Sequence, residues 1–203
     1  MVEHRRPTLE FWFEFGSNYS YLSVMRIEAL AAARGVDVLW RPFLLAPIFR
    51  AFGWQTSPFV LQKEKGAYVW RDMARLCRKY GLPWTRPTTF PRSAILPLRV
   101  ASLGARAPWI GEFSRRVMLR NFADDREIDS PAAVGDVLSA MALPAEEILA
   151  AALSDSNKSR LRRQTEEARR NGLFGAPTFV VGDEMFWGND RLDDALDFAV
   201  ERS

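Results

Sequence analysis

Strand-like hydrophobic patterning occurs only at the two ends of this 203-residue chain, and this limits the folds that it can adopt. Near the start, residues 9–15 place apolar side chains at every second position, which is the period of a β-strand. Gly16 breaks that pattern, a helix is predicted over residues 19–34, and Gly35 is its stop signal. A second strand is predicted over residues 36–43. The segment is therefore interpreted as a βαβ unit with parallel strands and a right-handed crossover.

The far end of the chain carries the complementary elements. Residues 175–181 and 184–187 are predicted strands joined by Gly182 and Asp183, and residues 190–200 have a helical pattern. Residues 44–172 look helical and are too long to be a loop. This is the element order of the thioredoxin fold. The sequence predicts an α/β protein with a discontinuous thioredoxin-like domain, residues 8–43 and 173–203, and a large all-helical domain, residues 44–172, inserted after the first βαβ unit.

The cysteine and histidine counts exclude several kinds of chemistry. Cys77 is the only cysteine and His4 the only histidine. An internal disulfide, a CxxC redox pair, a cysteine-rich zinc site and a site with two histidine ligands are therefore excluded, and we expect no metal. His4 lies in the N-terminal tail, which argues against a serine–histidine triad. Cys77 falls on an apolar helical face and is interpreted as a buried packing residue.

Charge and hydropathy argue against nucleic acid and membrane partners. The formal net charge is only +3, and the basic stretch at residues 158–170 is interpreted as an exposed helix face balanced by acidic side chains elsewhere. No apolar run approaches the roughly 18 residues of a membrane-spanning helix. No signal peptide precedes the first strand. The expected location is the cytoplasm, where thiols stay reduced.

Three polar segments are expected to converge at one edge of the sheet. Residues 16–20 open the first helix, residues 175–178 lead into the third strand, and residues 187–191 precede the last helix. Ligands of parallel α/β units bind at the carboxyl ends of the strands. Each segment also has a simpler interpretation: Ser17 as a helix N-cap, Pro177 as an ordinary trans proline at the start of a strand, and Asn189 with Asp190 as capping residues.

The first segment holds serines where thioredoxin-fold redox enzymes hold the cysteines of CxxC. Ser17 and Ser20 cannot exchange disulfides, and a serine hydroxyl without a nearby histidine is a poor nucleophile. Such a hydroxyl can instead donate a hydrogen bond to a thiolate that another molecule brings. In this fold Pro177 would follow a cis bond, and Ala176 would then present its backbone N–H and C=O to an extended peptide.

Four stretches carry a resemblance to a known family: SNYSYL (17–22), KGAYVWRD (65–72), GLFGAPTF (172–179) and MFWGNDRL (185–192). From about residue 8 onward the chain resembles the 2-hydroxychromene-2-carboxylate isomerases, which are relatives of the kappa-class glutathione transferases. The resemblance implies a thioredoxin fold with an inserted helical domain, glutathione as cofactor and a homodimer. It also implies an aromatic keto acid as the substrate, as in the degradation of aromatic compounds.

The resemblance further implies roles for residues in the first half of the chain. Ser17 would hydrogen-bond the glutathione sulfur, Tyr19 would line the same pocket, and Lys65 would reach the glycyl carboxylate. The chain departs from the family at two positions here. Asn18 stands where a proline usually follows the serine, and Gln55 replaces a family asparagine, whose hydrogen bond a longer amide could keep.

In the second half, the resemblance implies that Ala176, ahead of Pro177, pairs its backbone with the cysteinyl residue of glutathione. Asn189 and Asp190 would hold the γ-glutamyl end. Ser93 takes a place that the family often fills with asparagine, a change that could alter substrate choice.

Three residues are candidates for contact with the substrate itself. Arg41, near the carboxyl end of the second strand, could meet the substrate carboxylate; a surface ion pair or packing of its stem is the alternative. Trp54 and Phe90, together with Trp70 and Trp187, could line a pocket for the aromatic ring, although aromatic residues at helical spacing are more often core.

The expected activity is a glutathione-dependent isomerisation. In the family the thiolate adds to a conjugated double bond, the new single bond rotates, and elimination returns the thiol, so that glutathione is not consumed. Two alternatives remain open: a kappa-like transferase or peroxidase that acts on another electrophile, and a thioredoxin-fold protein that binds glutathione without chemistry.

Overall fold

The computed structural model describes residues 6–202, so the expectation for His4 lies outside the described residues. Four strands form one sheet in the order β2-β1-β3-β4. They are β1 (Thr8–Phe13), β2 (Asp37–Pro42), β3 (Thr178–Val181) and β4 (Glu184–Trp187). Strands β1 and β2 are parallel, whereas β3 runs antiparallel to both β1 and β4. The predicted βαβ unit and the C-terminal hairpin are confirmed.

The helices in the described part of the chain are α1 (Asn18–Val24), α2 (Ile27–Arg34), α3 (Leu45–Ala51), α4 (Pro58–Leu61), α5 (Lys63–Tyr80), α6 (Ile95–Leu103), α7 (Ile110–Phe122), α8 (Pro131–Ala140), α9 (Ala145–Leu153), α10 (Asp155–Arg170) and α11 (Leu192–Glu201). Helices α3 to α10 all lie between β2 and β3, which confirms the helical insertion after the first βαβ unit. One buried apolar cluster includes residues of the sheet and of the inserted helices. The division at residues 43/44 and 172/173 into two domains stays a prediction.

The single helix predicted over residues 19–34 is wrong, because the chain bends at Met25 and Arg26. The Arg26 N–H donates to the Ser23 carbonyl at 3.1 Å, a tight i→i+3 bond that ends α1. The side chains of Ser23 and Arg26 both donate to Asn189 Oδ1 at 3.2 Å. Asn189 begins a short 3-10 turn, Asn189–Arg191. These contacts fasten the bend to that turn, and α1 has only 7 residues.

Strand β1 is buried on both faces, which fixes the position of the residues that follow it. Phe11 and Phe13 belong to the main apolar cluster, which also includes residues of α2 and α11. Trp12, on the opposite face, packs in a second cluster with Ile48 of α3 and Ala168 of α10. Since the sheet is covered on both sides, the turn after β1 is held by a rigid strand.

Helix α5 carries the predicted apolar face into the core. Val69, Met73 and Cys77 are buried, and Gly81 ends the helix with a φ of 66°. The interpretation of Cys77 as a packing residue is confirmed, and burial raises the pKa of its thiol to about 11. Within residues 6–202, none of the helices is both long enough and apolar enough to cross a bilayer.

Candidate active site

A cavity of about 1120 Å³ opens at the carboxyl end of β1. Its walls come from the turn after β1, the segment between β2 and α5, helix α5 itself, the loop before α6, the segment before β3 and the turn before α11. Pockets for single small ligands measure about 300–1000 Å³, so this cavity is large enough for a cofactor and a substrate together. It is lined by most of the sequence-predicted site residues: Ser17, Tyr19, Gln55, Lys65, Phe90, Ala176, Pro177, Asn189 and Asp190.

Ser17 joins two of the converging segments. Its Oγ accepts the Ser20 N–H at 3.2 Å, which confirms the N-cap interpretation. The same hydroxyl donates to the Ala176 carbonyl at 2.9 Å, so the start of α1 and the segment before β3 are in contact. Ser17 is 8% exposed, and it lines the cavity. A serine hydroxyl can rotate, so its proton can be directed to a ligand instead of to Ala176.

The segment before β3 contains a cis peptide bond between Ala176 and Pro177, so the trans alternative is wrong. Gly175 lies directly under the indole of Trp187. A Cβ at Gly175 would lie 2.3 Å from Trp187 Nε1, and any larger residue would push the ring away. The Phe174 and Trp187 rings contact each other with centroids 4.9 Å apart. The cis segment and β4 are thus packed together on one side of the cavity.

Asn189 and Asp190 have different surroundings. Asn189 is 5% exposed, its Oδ1 accepts from Ser23 and Arg26, and its buried Nδ2 has no acceptor in residues 6–202. The side chain of Asp190 is 75% exposed, and its carboxylate lies 3.6 Å from Arg191 Nε. Neither side chain caps α11 or the turn before it, so the capping alternative is wrong. Asn189 therefore positions the turn, while the Asp190 carboxylate is open to a ligand.

Tyr19 and Lys65 form another side of the cavity. The Tyr19 hydroxyl donates to Asp72 Oδ2 at 2.8 Å, and burial together with this carboxylate raises the pKa of Tyr19. The Tyr19 and Phe59 rings meet with centroids 6.0 Å apart, and the Lys65 ammonium lies 5.9 Å from the Phe59 ring. No carboxylate in the described chain lies within ion-pair distance of Lys65. The Lys65 charge is thus available to a ligand, whereas the Tyr19 hydroxyl is already hydrogen-bonded to Asp72.

The structure places Arg41 and Trp54 outside the cavity lining, so it does not bring them together with the other candidate residues, and their contact with a substrate stays a prediction. Arg41 donates to Glu10 Oε1 at 2.6 Å and lies 5.2 Å from the Trp12 ring, so the ion-pair alternative holds. Trp54 is 37% exposed, and its ring contacts those of Phe49 and Phe52 in tilted arrangements, with centroids 5.8 and 5.7 Å apart. The guanidinium of Arg41 is thus already paired with the Glu10 carboxylate instead of being free for a substrate carboxylate.

The loop before α6 brings Phe90 to the cavity. Its ring meets the Trp70 ring edge-on at 4.7 Å, and a cis peptide bond joins it to Pro91. Trp70 itself does not line the cavity. Ser93 lines it, but the Ser93 hydroxyl donates to Asp129, so this departure from the family is already hydrogen-bonded within the chain.

Glu14 is a lining residue to which sequence reasoning gave no role. The strand pattern counts it among the polar positions, yet it is only 9% exposed. Burial is the main cause that raises the pKa of its carboxyl from 4.5 to about 7; Asp129 adds to the rise, and hydrogen bonds from the Gly16 and Ser17 N–H groups oppose it. A carboxyl group just past the end of β1, two positions before Gly16, was the signal that could have indicated it.

Asn18 is buried without hydrogen-bond partners. It is 1% exposed, and neither Nδ2 nor Oδ1 of its amide has a partner in the described residues. Each unsatisfied buried group costs about 1–3 kcal/mol. At the position where the resemblance implies a proline, the chain thus carries a buried amide that lines the cavity without a hydrogen bond to the described residues.

Comparisons with known proteins agree with this fold. The family model described as a DSBA-like thioredoxin domain matches residues 8–198. A 2-hydroxychromene-2-carboxylate isomerase of Pseudomonas putida is 30% identical over 187 residues, which cover 91% of this chain and 90% of the relative. The glutathione S-transferase kappa 2 of Caenorhabditis elegans is 27% identical over 211 residues, covering 97% and 93%.

A solved structure of a 2-hydroxychromene-2-carboxylate isomerase matches with a TM-score of 0.85 and 25% identity, over 96% of this chain and 95% of that one. The resemblance predicted from the four sequence stretches is thus confirmed along almost the whole length. The chain belongs to the DSBA-like thioredoxin domain family, within the group that contains the 2-hydroxychromene-2-carboxylate isomerases and the kappa-class glutathione transferases.

Proposed function

We propose that this protein is a glutathione-dependent isomerase of aromatic keto acids of the 2-hydroxychromene-2-carboxylate type. Isomerase relatives that match over most of both chains support an isomerase. The observation that carries glutathione dependence is the position of the Ser17 hydroxyl, 2.9 Å from the Ala176 carbonyl and directed to the cis-proline segment. A thiol held there would have a hydroxyl donor on one side and peptide backbone on the other.

The lining of the cavity fits glutathione, a peptide with one ammonium, two carboxylates and one thiol. The Lys65 ammonium has no ion-pair partner within the described residues and suits a carboxylate. The Asp190 carboxylate is largely exposed and suits the ammonium. The buried Nδ2 of Asn189 lacks an acceptor, which a ligand oxygen can supply. Gln55 also lines the cavity and carries an amide that can hydrogen-bond the peptide.

When bound, glutathione would supply a thiolate that adds to the conjugated double bond of the substrate and is eliminated again when that bond re-forms. Ser17 favours this thiolate by donating a hydrogen bond to sulfur. Such a bond to a charged acceptor is worth about 1.5–3 kcal/mol. It would therefore lower the pKa of the bound thiol by about one to two units from the value of about 8.5 for a free thiol. Phe90 and Trp187 give the cavity apolar surface on which an aromatic ring can pack.

Turnover with trace glutathione tests the proposal. The purified protein is given a large excess of the chromene substrate and substoichiometric glutathione, and the product is followed by its absorbance. An isomerase converts many equivalents of substrate for each equivalent of glutathione. Ser17→Ala should lose most of the rate, whereas the neighbouring Ser20→Ala, whose buried hydroxyl has no partner in residues 6–202, should keep it. No turnover by the wild type would contradict the proposal.

The second candidate is a kappa-like transferase or peroxidase, which the identity to the Caenorhabditis elegans enzyme favours. Such an enzyme consumes glutathione. A transferase would stop at one equivalent of product for each equivalent of glutathione, whereas a peroxidase oxidises two glutathione molecules per peroxide and would stop at half an equivalent. A protein that only binds glutathione would give equal rates for the wild type and Ser17→Ala.

The family resemblance also supports a homodimer and a place in the degradation of aromatic compounds in the cytoplasm. The dimer is tested by size-exclusion chromatography with light scattering. A mass near 46 kDa, twice the 23.1 kDa of one chain, is expected, and a mass near 23 kDa would contradict it.

A further inference from the structure

Glu14 is a buried carboxyl group in the cavity, and the chemistry above gives it no task. We propose that Glu14 is the acid–base residue of this site: it holds a proton beside Ser17 and exchanges it with the keto oxygen of the substrate. This inference rests on the proposed function and assigns a second reacting group to the same cavity.

The backbone holds the Glu14 carboxyl against the turn that carries Ser17. Glu14 Oε2 accepts the Gly16 N–H at 3.0 Å. A Cβ at Gly16 would lie 3.0 Å from that oxygen and 2.8 Å from the Arg92 carbonyl, so this close approach requires glycine. The carboxyl is therefore fixed against the Gly16 N–H, one residue before Ser17, and both Glu14 and Ser17 line the cavity.

The charges around Glu14 favour its neutral form. Asp129 is the acidic group that acts on it, and Asp129 Oδ1 accepts the Leu96 N–H at 2.7 Å. The guanidinium of Arg92 does not compensate, because it donates to Asp125 Oδ1 at 2.5 Å and to Asn121 Oδ1 at 2.9 Å. No cation in residues 6–202 forms an ion pair with Glu14. The charged side chains elsewhere on the cavity wall are Arg50, Lys65, Lys79, Asp72, Asp190 and Arg191.

A carboxyl that titrates near neutral pH can both give and take a proton under working conditions. Glu14 gives its proton to the keto oxygen as the C–S bond forms and the π electrons of the double bond move onto that oxygen. The Glu14 carboxylate takes the same proton back as the double bond re-forms and the C–S bond breaks. No net proton is consumed, and nothing is oxidised or reduced. A Glu14 carboxylate and a thiolate in the same cavity would repel each other. One of the two groups is therefore protonated while the other carries the negative charge.

Direct titration of Glu14 tests this inference without any turnover. The protein is labelled with ¹³C at the glutamate carboxyl carbons, and the Glu14 signal is identified by its loss in Glu14→Gln. We expect a Glu14 pKa near 7 in the protein alone. Saturating glutathione should raise it by one unit or more, whereas S-methylglutathione, which lacks the ionisable thiol, should not. Equal titration with both ligands would overturn the inference.

Kinetics separate an acid–base role from a structural one. Glutamine keeps the oxygen that accepts the Gly16 N–H but cannot exchange a proton. Glu14→Gln should lower kcat by about 10²–10⁴-fold while the KM for glutathione stays within about threefold, and Glu14→Asp should recover part of the rate. Glu10→Gln, in β1 four positions before Glu14 and outside the cavity lining, is the matched control and should keep kcat.

The outcomes distinguish the two proposals. If the wild type turns over and Glu14→Gln is equally active, the inference fails and the proposed function stands. If the wild type binds no glutathione, both fail. If it binds glutathione but does not isomerise the substrate, proton exchange with a keto oxygen is refuted as well.

Discussion

Replacing Glu14 by glutamine should stabilise the folded protein above pH 7 and change its stability little below pH 4.5. Burial raises the pKa of Glu14 from 4.5 to about 7, so the folded protein binds this proton more tightly than the unfolded chain does. The stability contributed by the neutral carboxyl is complete below pH 4.5 and is lost as the pH rises through 7. A rise of about 2.5 in pKa corresponds to a loss of about 3 kcal/mol.

Urea unfolding of the ligand-free protein, followed by circular dichroism at several pH values, measures this loss. The advantage of Glu14→Gln over the wild type in free energy of unfolding should grow by about 3 kcal/mol between pH 4.5 and pH 8. Glu201→Gln, at an exposed position at the end of α11, is the matched control and should follow the wild type. Parallel profiles for the wild type and Glu14→Gln would show that burial does not raise the pKa of Glu14.

Three further changes have defined outcomes. Lys65→Met should weaken glutathione binding about tenfold in calorimetry with kcat nearly unchanged, since an unpaired ammonium suits a ligand carboxylate; unchanged affinity would contradict its role. Gly175→Ala should displace Trp187, alter tryptophan fluorescence and cost about 1–3 kcal/mol in unfolding, because its Cβ would lie 2.3 Å from the indole nitrogen. Gly135→Ala, with its nearest neighbour at 3.5 Å, should be tolerated, and equal stability of both variants would refute the argument. Arg41→Gln should leave the KM for substrate unchanged, because the guanidinium is paired with Glu10. A large increase in this KM would show that Arg41 contacts the substrate.

The fold was predictable at the two ends of the chain, because local signals define the elements there. Gly35 adopts a φ of 68° at the end of α2, and Gly182 adopts a φ of 62° in the hairpin turn. The bend at Met25 and Arg26 carries no proline or glycine. It depends on hydrogen bonds to Asn189, more than 160 positions away, and such contacts leave no local pattern.

The converging segments of the site were predictable once the order of strands was known, as the contact between Ser17 and Ala176 illustrates. The ion pair between Arg41 and Glu10 was not predictable in this way. In the β1–β2 register Arg41 lies opposite Trp12, and this places it diagonally across from Glu10 on the same face. Pairing register depends on both strands together, so the second strand alone could not show that the guanidinium was already bound.

Glu14 was missed for a similar reason. The alternation predicted over residues 9–15 places it on the same face as Glu10, whose side chain remains 26% exposed. The groups that surround Glu14 and its turn come from elsewhere in the chain: the charge of Asp129 acts on the Glu14 carboxyl, and the Arg92 carbonyl lies close to Gly16. Strand periodicity identifies a face of the sheet, but it does not show what will cover that face.

The central claim is that the hydroxyl of Ser17 stabilises the thiolate of bound glutathione. Absorbance near 240 nm reports that thiolate, so a pH titration of the wild type, Ser17→Ala and Ser20→Ala with bound glutathione measures the effect directly. Ser17→Ala also removes an N-cap worth about 1 kcal/mol, so folding is checked at each pH. A thiol pKa one to two units below the free value of about 8.5 in the wild type and Ser20→Ala, and its return toward 8.5 in Ser17→Ala, is expected. The same thiol pKa in all three proteins would contradict the claim.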